Sequence, residues 1–510
     1  MSEVWAKLAA DGWRLAVLVA VAVGVHAWLV SQTAVPARDG VVFARYACRL
    51  DASFASQTET PLDVVRSAEH PPGYPLAVSA VAKLTGQTSP DGYLRAAQMA
   101  NALAGVLLVV PCHFIGRQLF GRNVGFAAAL LFQVLPVPAH VTSDALSEGL
   151  FLLLASTSVA CGVRAVKSHL LVWFVACGLA AGASYLVRPE GLMTALAPVL
   201  VVLWGVVRGR VKVVPGVLRV LVLAAGVAVF AGPYMVAIGR LTNKPTGVQL
   251  QSPVAAVHGG PLFAAWAGPN ESRAAFAAKA VPTEVLKATH YGVGVLAVVG
   301  VGVLWRRFAR DPGWWVTALT FACCLGLLVF LAVRRGYISE RHAMLLTLLA
   351  CQFAAAVLPA WAGLIARVIP PVGRIGQRVT AAVLLALMVV SALPFALKPE
   401  SRSRGEVHKQ AGLWLAEHAD PADAIVDPYT LAEWYAGRTR THLSDHSRGL
   451  PPVSYVVLEN TTSTPESPMP LLGWARDLTK RPDATLVKHW PEGVPASEAR
   501  LHVWKVTSRP

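Results

Sequence analysis

ARDGVVFARYACRLDASFASQTETPLDVVRSAEHPPGYP, residues 37–75, is a polar stretch in a chain otherwise dominated by apolar runs. It follows an apolar run from about Leu15 to Val30, opens with an acid, Asp39, and closes with His70-Pro71-Pro72-Gly73-Tyr74-Pro75. A polar stretch starting where a membrane-length run stops reads as a loop at the bilayer surface, and that reading makes the rest of the chain a membrane bundle.

The composition agrees. The 510 residues are 55% hydrophobic and 15% charged, with a mean hydropathy of +0.52, whereas a soluble domain carries closer to a quarter charged residues. Windows of about 18–22 apolar residues recur at roughly 13–33, 95–116, 123–138, 145–163, 170–187, 190–207, 215–239, 290–305, 314–333, 342–366 and 379–397, which predicts a polytopic α-helical membrane protein with about eleven transmembrane helices. The first run follows Lys7 and Arg14 without a clear small-x-small cleavage site, so it reads as a retained helix with its N-terminus in the cytoplasm.

The net charge of +16 does not call for a nucleic-acid partner. Arg117 and Arg122, Arg164 and Lys167, Arg208, Arg210 and Lys212, Arg306, Arg307 and Arg310, and Arg367, Arg374 and Arg378 fall in alternate short connections. The positive-inside rule explains these without any ligand. An odd number of spans then places the C-terminus outside, with long extracytoplasmic segments at 34–94, 240–289 and 398–510. Residues 1–397 read as the transmembrane catalytic domain. The tail reads as a small α/β domain: Glu406–His418 and Thr430–Tyr435 suit helices, while Ala424–Asp427, Ser454–Leu458 and Leu501–Val506 suit short strands. Leu76–Leu84 is too short to span and suits an interfacial helix with Pro75 at its first position.

Six of the seven cysteines lie in apolar runs, and only Cys48 sits in an expected external loop, so no disulfide framework or CxxC metal site is indicated. P-loop, GxGxxG, HExxH and GxSxG signatures are absent. Tryptophans near span ends suit interfacial belts, and His113 reads as an interior residue.

The candidate chemistry gathers at the outer surface. Asp39 is either a solvated loop residue or a general base held near the lipid surface. Phe43 and Tyr46 follow it at i+4 and i+7, so it starts an amphipathic helix whose N-terminal end keeps a carboxylate ionised. The loop Arg334-Arg335-Gly336-Tyr337-Ile338-Ser339-Glu340-Arg341-His342 breaks the charge alternation, which points to phosphate recognition or to lipid headgroups. Arg188 and Glu190 flank Pro189, as an ion pair or as part of a site. Asp144 and Glu148 lie one turn apart, as an interior pair, a helix cap or an acceptor site. His70 either binds phosphate or caps the turn before the prolines.

Asp39, His70–Pro75, the Ser143–Glu148 turn, Arg188-Pro189-Glu190 and Glu340-Arg341-His342, in that order, resemble the GT-C glycosyltransferases, more narrowly the bacterial relatives of protein O-mannosyltransferases and aminoarabinose transferases. The resemblance covers roughly residues 10–370. It implies an inverting transfer from a polyprenyl-phosphate-linked sugar to a protein, lipid or glycan acceptor outside the bacterial inner membrane. Asp39 would match the general base. Arg341, with His342, is the best candidate for the donor's phosphate, with His70 and Arg188 as further donor-binding candidates. Tyr74, Asp144, Glu148, Glu190 and Glu340 would serve the acceptor or the architecture. Many relatives carry two adjacent acids in the first loop, whereas Gly40 follows Asp39 here. Divalent metal dependence stays open: Asp39 with Arg and His could work without one, or Asp39 with Glu148 or Glu190 could coordinate it. A flippase, and a ligase of lipid-linked saccharides, are the competing readings. A flippase predicts ionisable groups near the bilayer midplane and repeat symmetry.

Overall fold

The computed structural model describes residues 2–243, 265–266, 271–368, 376–399, 403–438, 453–460 and 470–507. Half of the expected 240–289 loop, and Arg374, lie outside these. The first helix, α1 (Ser2–Gln32), is followed by α2 (Asp39–Ser53), α3 (Pro61–Ser67) and α4 (Gly73–Leu84). The bundle continues through α5 (Pro90–Leu107), α6 (Val109–Phe120), α7 (Arg122–Val134), α8 (Pro136–Thr142), α9 (Glu148–Ser168), α10 (Leu171–Val187), α11 (Met193–Val207) and α12 (Val213–Ile238). It is completed by α13 (Arg273–Ala288), α14 (Gly292–Phe308), α15 (Pro312–Arg335), α16 (Met344–Val368) and α17 (Gln377–Ala396).

Among the described residues, eight helical stretches are long and apolar enough to cross a membrane, or ten if each of two bent pairs is one span. α7 and α8 meet at 70°, and α13 and α14 at 102°. The first bend has a sequence cause: Leu135 precedes Pro136, which excludes it from the helical region, and it is extended at φ −69°, ψ 137°. The apolar α10 is shorter, at 17 residues. Every apolar window of the sequence is therefore mainly helical, with one short, two belonging to bent pairs and the 145–163 window entering its helix only at Glu148. α4 starts at Gly73 instead of Pro75, which lies within the first turn, where a missing N–H is still harmless.

Between α8 and α9 the chain unwinds over Ser143–Ser147 inside the bundle. The freed backbone groups are recovered by side chains of α5. The Asn101 amide donates to the carbonyls of Val141 (2.8 Å) and Asp144 (2.9 Å), and its oxygen accepts from Gly149 N–H at 2.6 Å. Gln98 donates to the Ser143 carbonyl at 3.1 Å, and His26 of α1 meets the Ser143 hydroxyl at 2.6 Å. Asn101→Ala would orphan the Val141 carbonyl and the Gly149 N–H, while the Asp144 carbonyl keeps its bond from Leu146 N–H, which costs about 2–4 kcal/mol. A clear drop in apparent melting temperature in detergent is expected, larger than for a surface control.

At the opposite end of these helices Asp11 of α1 is fully buried. It pairs with Arg117 (2.6 Å) and Arg122 (3.4 Å), with the buried His113 at 3.7 Å. Those two arginines, read from sequence as topology signals, thus also neutralise a buried acid.

A two-residue strand, β1 (Ala265–Trp266), pairs antiparallel with β2 (Tyr337–Ile338). The C-terminal part holds α18 (Ser403–His418), β3 (Ala424–Val426), α19 (Leu431–Tyr435), β4 (Val453–Glu459), α20 (Pro470–Thr479), β5 (Ala484–Trp490) and β6 (Leu501–Thr507). Its sheet runs β3-β4-β6-β5, with β3 parallel to β4 and the other pairs antiparallel.

Candidate active site

Asp39 is the first residue of α2, and the helix turns immediately because Gly40 and Val41 donate to the carbonyls of Ala37 and Arg38. The apolar face of α2 buries Val41, Phe43, Tyr46 and Leu50. Phe43, one turn beyond Asp39, packs edge-on against Tyr74 at 5.0 Å and against His70 at 5.1 Å. Gly73 of the HPPGYP segment is required by proximity. A Cβ there would lie 2.6 Å from the Leu186 carbonyl at the end of α10, just before Arg188. At the far end of α2, Asp51 pins α4 and α5 by accepting from Ser79 (2.6 Å) and Tyr93 (2.8 Å) beside Lys83.

The second half of the site arrives from a distant segment. Glu340–Ala343 forms a 3-10 turn that opens α16, capped by Ser339. From that turn Arg341 reaches the Asp39 carboxylate at 2.5 Å across 302 residues of sequence. Both side chains are only partly exposed, 19% and 30%. Burial raises the pKa of the adjacent Tyr337 phenol, which Arg341 opposes and Asp39 and Glu148 reinforce.

Next to this pair lies another. Arg188 caps the end of α10 in an extended conformation, as the residue before Pro189 must. It donates to Glu148 at 2.7 Å, with Glu190 at 3.9 Å. Arg341 and Arg188 act on one another and on Glu148 through space. Asp39, Arg341, Tyr337, Glu148, Arg188 and Glu190 are therefore one cluster, in which the acids and the arginines nearly balance.

Other candidates take structural positions, and His342 does so within the cluster, edge-on to Tyr337 at 5.7 Å. The Nδ1 of His342 is turned back onto Ser339, accepting from its backbone N–H at 3.2 Å, so that nitrogen caps the turn and does not face a phosphate. Tyr74 is fully buried and donates to the Ala97 carbonyl at 2.6 Å, an architectural role. Asp144 and Glu148 do not share a helix face, because Asp144 belongs to the unwound segment. It accepts from Ala37 N–H at 2.8 Å and Ala145 N–H at 2.7 Å, fastening the approach to Asp39. Glu340 lies within electrostatic reach of Lys287, and Arg334 sits over Phe330. Among the described residues, no three His, Cys, Asp or Glu side chains converge as metal ligands. Asp39 and Glu148 each face a guanidinium, so the carboxylates expected to hold a divalent ion do not form a cation site in this arrangement. Sequence reading missed Tyr337, Asn101 and Arg38. Tyr337 alone had a signal, its place in the loop that breaks the charge alternation.

Residues 69–232 match the family model for dolichyl-phosphate-mannose-protein mannosyltransferases. The structure is similar to that of ArnT from Cupriavidus metallidurans bound to undecaprenyl phosphate. The TM-score is 0.59 at 15% identity, covering 97% of this chain and 98% of that one. The chain has the GT-C fold. In the archaeal oligosaccharyltransferase AglB from Archaeoglobus fulgidus, in complex with an inhibitory peptide and a dolichol-phosphate, the likeness spans 83% of this chain and 59% of that one. There the TM-score is 0.56 at 14% identity. No curated protein sequence matches the chain. The family match holds the HPPGYP segment, Glu148 and Arg188. Asp39 and Arg341 lie outside it and are joined to it by the GT-C bundle itself.

Proposed function

We propose that this GT-C protein is an inverting glycosyltransferase that takes a sugar from a polyprenyl-phosphate carrier and passes it to an acceptor outside the plasma membrane. The Asp39–Arg341 pair carries the reading: a carboxylate and a guanidinium from segments 302 residues apart meet beside a second arginine. The lipid phosphates named with ArnT and AglB support a donor of that chemistry.

In the transfer, an acceptor hydroxyl forms the new bond to the anomeric carbon while the bond from that carbon to the phosphate oxygen breaks. The hydroxyl proton passes to Asp39, and the polyprenyl phosphate leaves carrying the electron pair. Negative charge grows on the phosphate as it departs, where positive charge placed in advance lowers the barrier. Arg341 supplies that charge, with Arg188 behind it. Because Asp39 already pairs with Arg341, phosphate and base compete for the same guanidinium. Donor binding therefore releases the carboxylate to accept the proton. The N-terminus lies in the cytoplasm, and the site and tail lie on the extracytoplasmic side.

The test is transfer by purified protein in lipid from a panel of radiolabelled polyprenyl-phosphate sugars. Turnover of one donor supports the reading. Failure with every donor, alongside transport of a lipid-linked saccharide, would replace it with a flippase.

A further inference from the structure

The reaction as proposed gives the C-terminal tail nothing to do, yet the tail grips the helix that carries Asp39. α19 of the tail is not a separate layer. Leu431, Trp434 and Tyr435 belong to the same apolar core as Val41 and Phe43 of α2 and Tyr74 of α4. Trp434 is fully buried and donates its indole N–H to the Pro90 carbonyl at 3.1 Å. Tyr435 and Lys409 both reach Asp91, at 3.2 and 2.9 Å.

Polar contacts to α2 itself come from two arginines. Arg38, the residue just before Asp39, donates to the Pro428 carbonyl at 2.7 Å, beside Asp427 and Tyr429. Asp427 is fully buried and fixes that turn by accepting from Tyr429 N–H (2.8 Å) and Glu433 N–H (3.1 Å). Arg45 meets Glu433 at 3.3 Å, and Glu433 is fully buried. At 100° per residue, Arg38 and Arg45 lie on one stripe of α2, two turns apart, while Asp39 and Phe43 lie roughly 100° around the helix. One stripe therefore faces the tail while the next presents the base to Arg341.

We infer that the tail is a positioning clamp, in which Glu433 and the Asp427–Tyr429 turn hold Arg45 and Arg38 and so fix where α2 delivers Asp39. This rests on the proposed role of Asp39. A salt bridge removed from one side leaves a buried charge without its counterpart, so loosening the clamp is felt along α2.

The test uses full-length protein in lipid nanodiscs, with Glu433→Gln, Asp39→Asn and the double variant, alongside the charge swap Arg45→Glu/Glu433→Arg. Two readouts are taken: amide hydrogen exchange over residues 39–53 and affinity for undecaprenyl phosphate. Glu433→Gln should speed exchange in the first turns of α2 by about tenfold and tighten undecaprenyl phosphate binding two- to fivefold, as Asp39 lets go of Arg341. In the Asp39→Asn background the same change should leave the affinity unaltered, an outcome a merely structural role for Glu433 would not produce. The swap should restore slow exchange. Unchanged protection of residues 39–53 in Glu433→Gln overturns the clamp, as does an affinity shift of equal size with and without Asp39. If the wild type binds no undecaprenyl phosphate, the donor reading fails on its own, and exchange alone decides the clamp.

Discussion

Asp39→Asn should lower sugar transfer by about 10²–10⁴-fold, the usual contribution of a general base, and should bind undecaprenyl phosphate more tightly than the wild type. The second effect separates this mechanism from simpler ones. Arg341 sits 2.5 Å from the Asp39 carboxylate, so a phosphate must displace that carboxylate before it is fully paired. Asparagine keeps the shape and can still accept a weak hydrogen bond, but it no longer competes as an anion. Removing a partly buried competitor worth about 1.4 kcal/mol raises affinity tenfold. If Asp39 only braced the fold, Asn would weaken transfer and phosphate binding together. Arg341→Ala should lose both. Isothermal titration or a fluorescent lipid competitor, run beside the transfer assay, distinguishes the cases. An Asn variant that binds undecaprenyl phosphate more weakly than wild type would sink the competition between base and phosphate.

How far the site could be read in advance depended on whether a residue broke a rule. Arg341 stood out because short loops in membrane proteins follow a charge order and its loop does not. Asp39 stood out because it follows a span and heads an amphipathic stretch, with Phe43 and Tyr46 at i+4 and i+7. Partner choice left no such mark. Glu148 and Arg188 were both noted, but they lie 40 residues apart, and nothing in a sequence says which acid an arginine will face. His342 lies beside Tyr337 in the cluster, but no letter in the sequence shows that its Nδ1 turns back to cap Ser339. Arg38, Asn101 and Glu433 act only through the fold, by reaching groups that arrive from other segments.

Apolar runs carried the bundle, because the bilayer sets a length that few other structures need. The same criterion could not detect bends. The break at Leu135–Pro136 lies within an apolar window, and the unwound Ser143–Ser147 is recovered by side chains from α1 and α5. In the tail, α18, α19 and three of the four strands were legible from apolar clusters, whereas β5 and α20 were not. β5 is an edge strand with Thr485, Lys488 and His489 in it and a register shift between Leu486 and Lys488. Polar faces and bulges are how edges avoid pairing with other chains, and the same devices erase the apolar signal.

The second large effect concerns Gly40, the position where many relatives have another acid. An ideal Cβ on Gly40 would lie 2.5 Å from the Ala145 Cβ, 2.7 Å from the Ala145 carbonyl and 2.9 Å from Leu94. Two of these atoms belong to the unwound segment that Asn101 and Asp144 hold in place, so they have little freedom to retreat. Gly40→Ala must therefore push α2 outward by about an ångström, at a packing cost of about 1–3 kcal/mol. Asp39 is the adjacent residue and moves with it. A misplacement of that size near a reacting group costs on the order of 10²-fold in rate. Gly40→Ala should thus fold and insert, lose roughly 10²-fold in transfer, and show a lower melting temperature. Gly24→Ala is the control: a Cβ there meets nothing within 4 Å, and alanine is the better helix former, so both stability and rate should hold. Equal rates for the two variants would mean that α2 does not rest on Ala145. The same packing leaves no room for a second acid at position 40, whose side chain would run into Ala145 and Leu94.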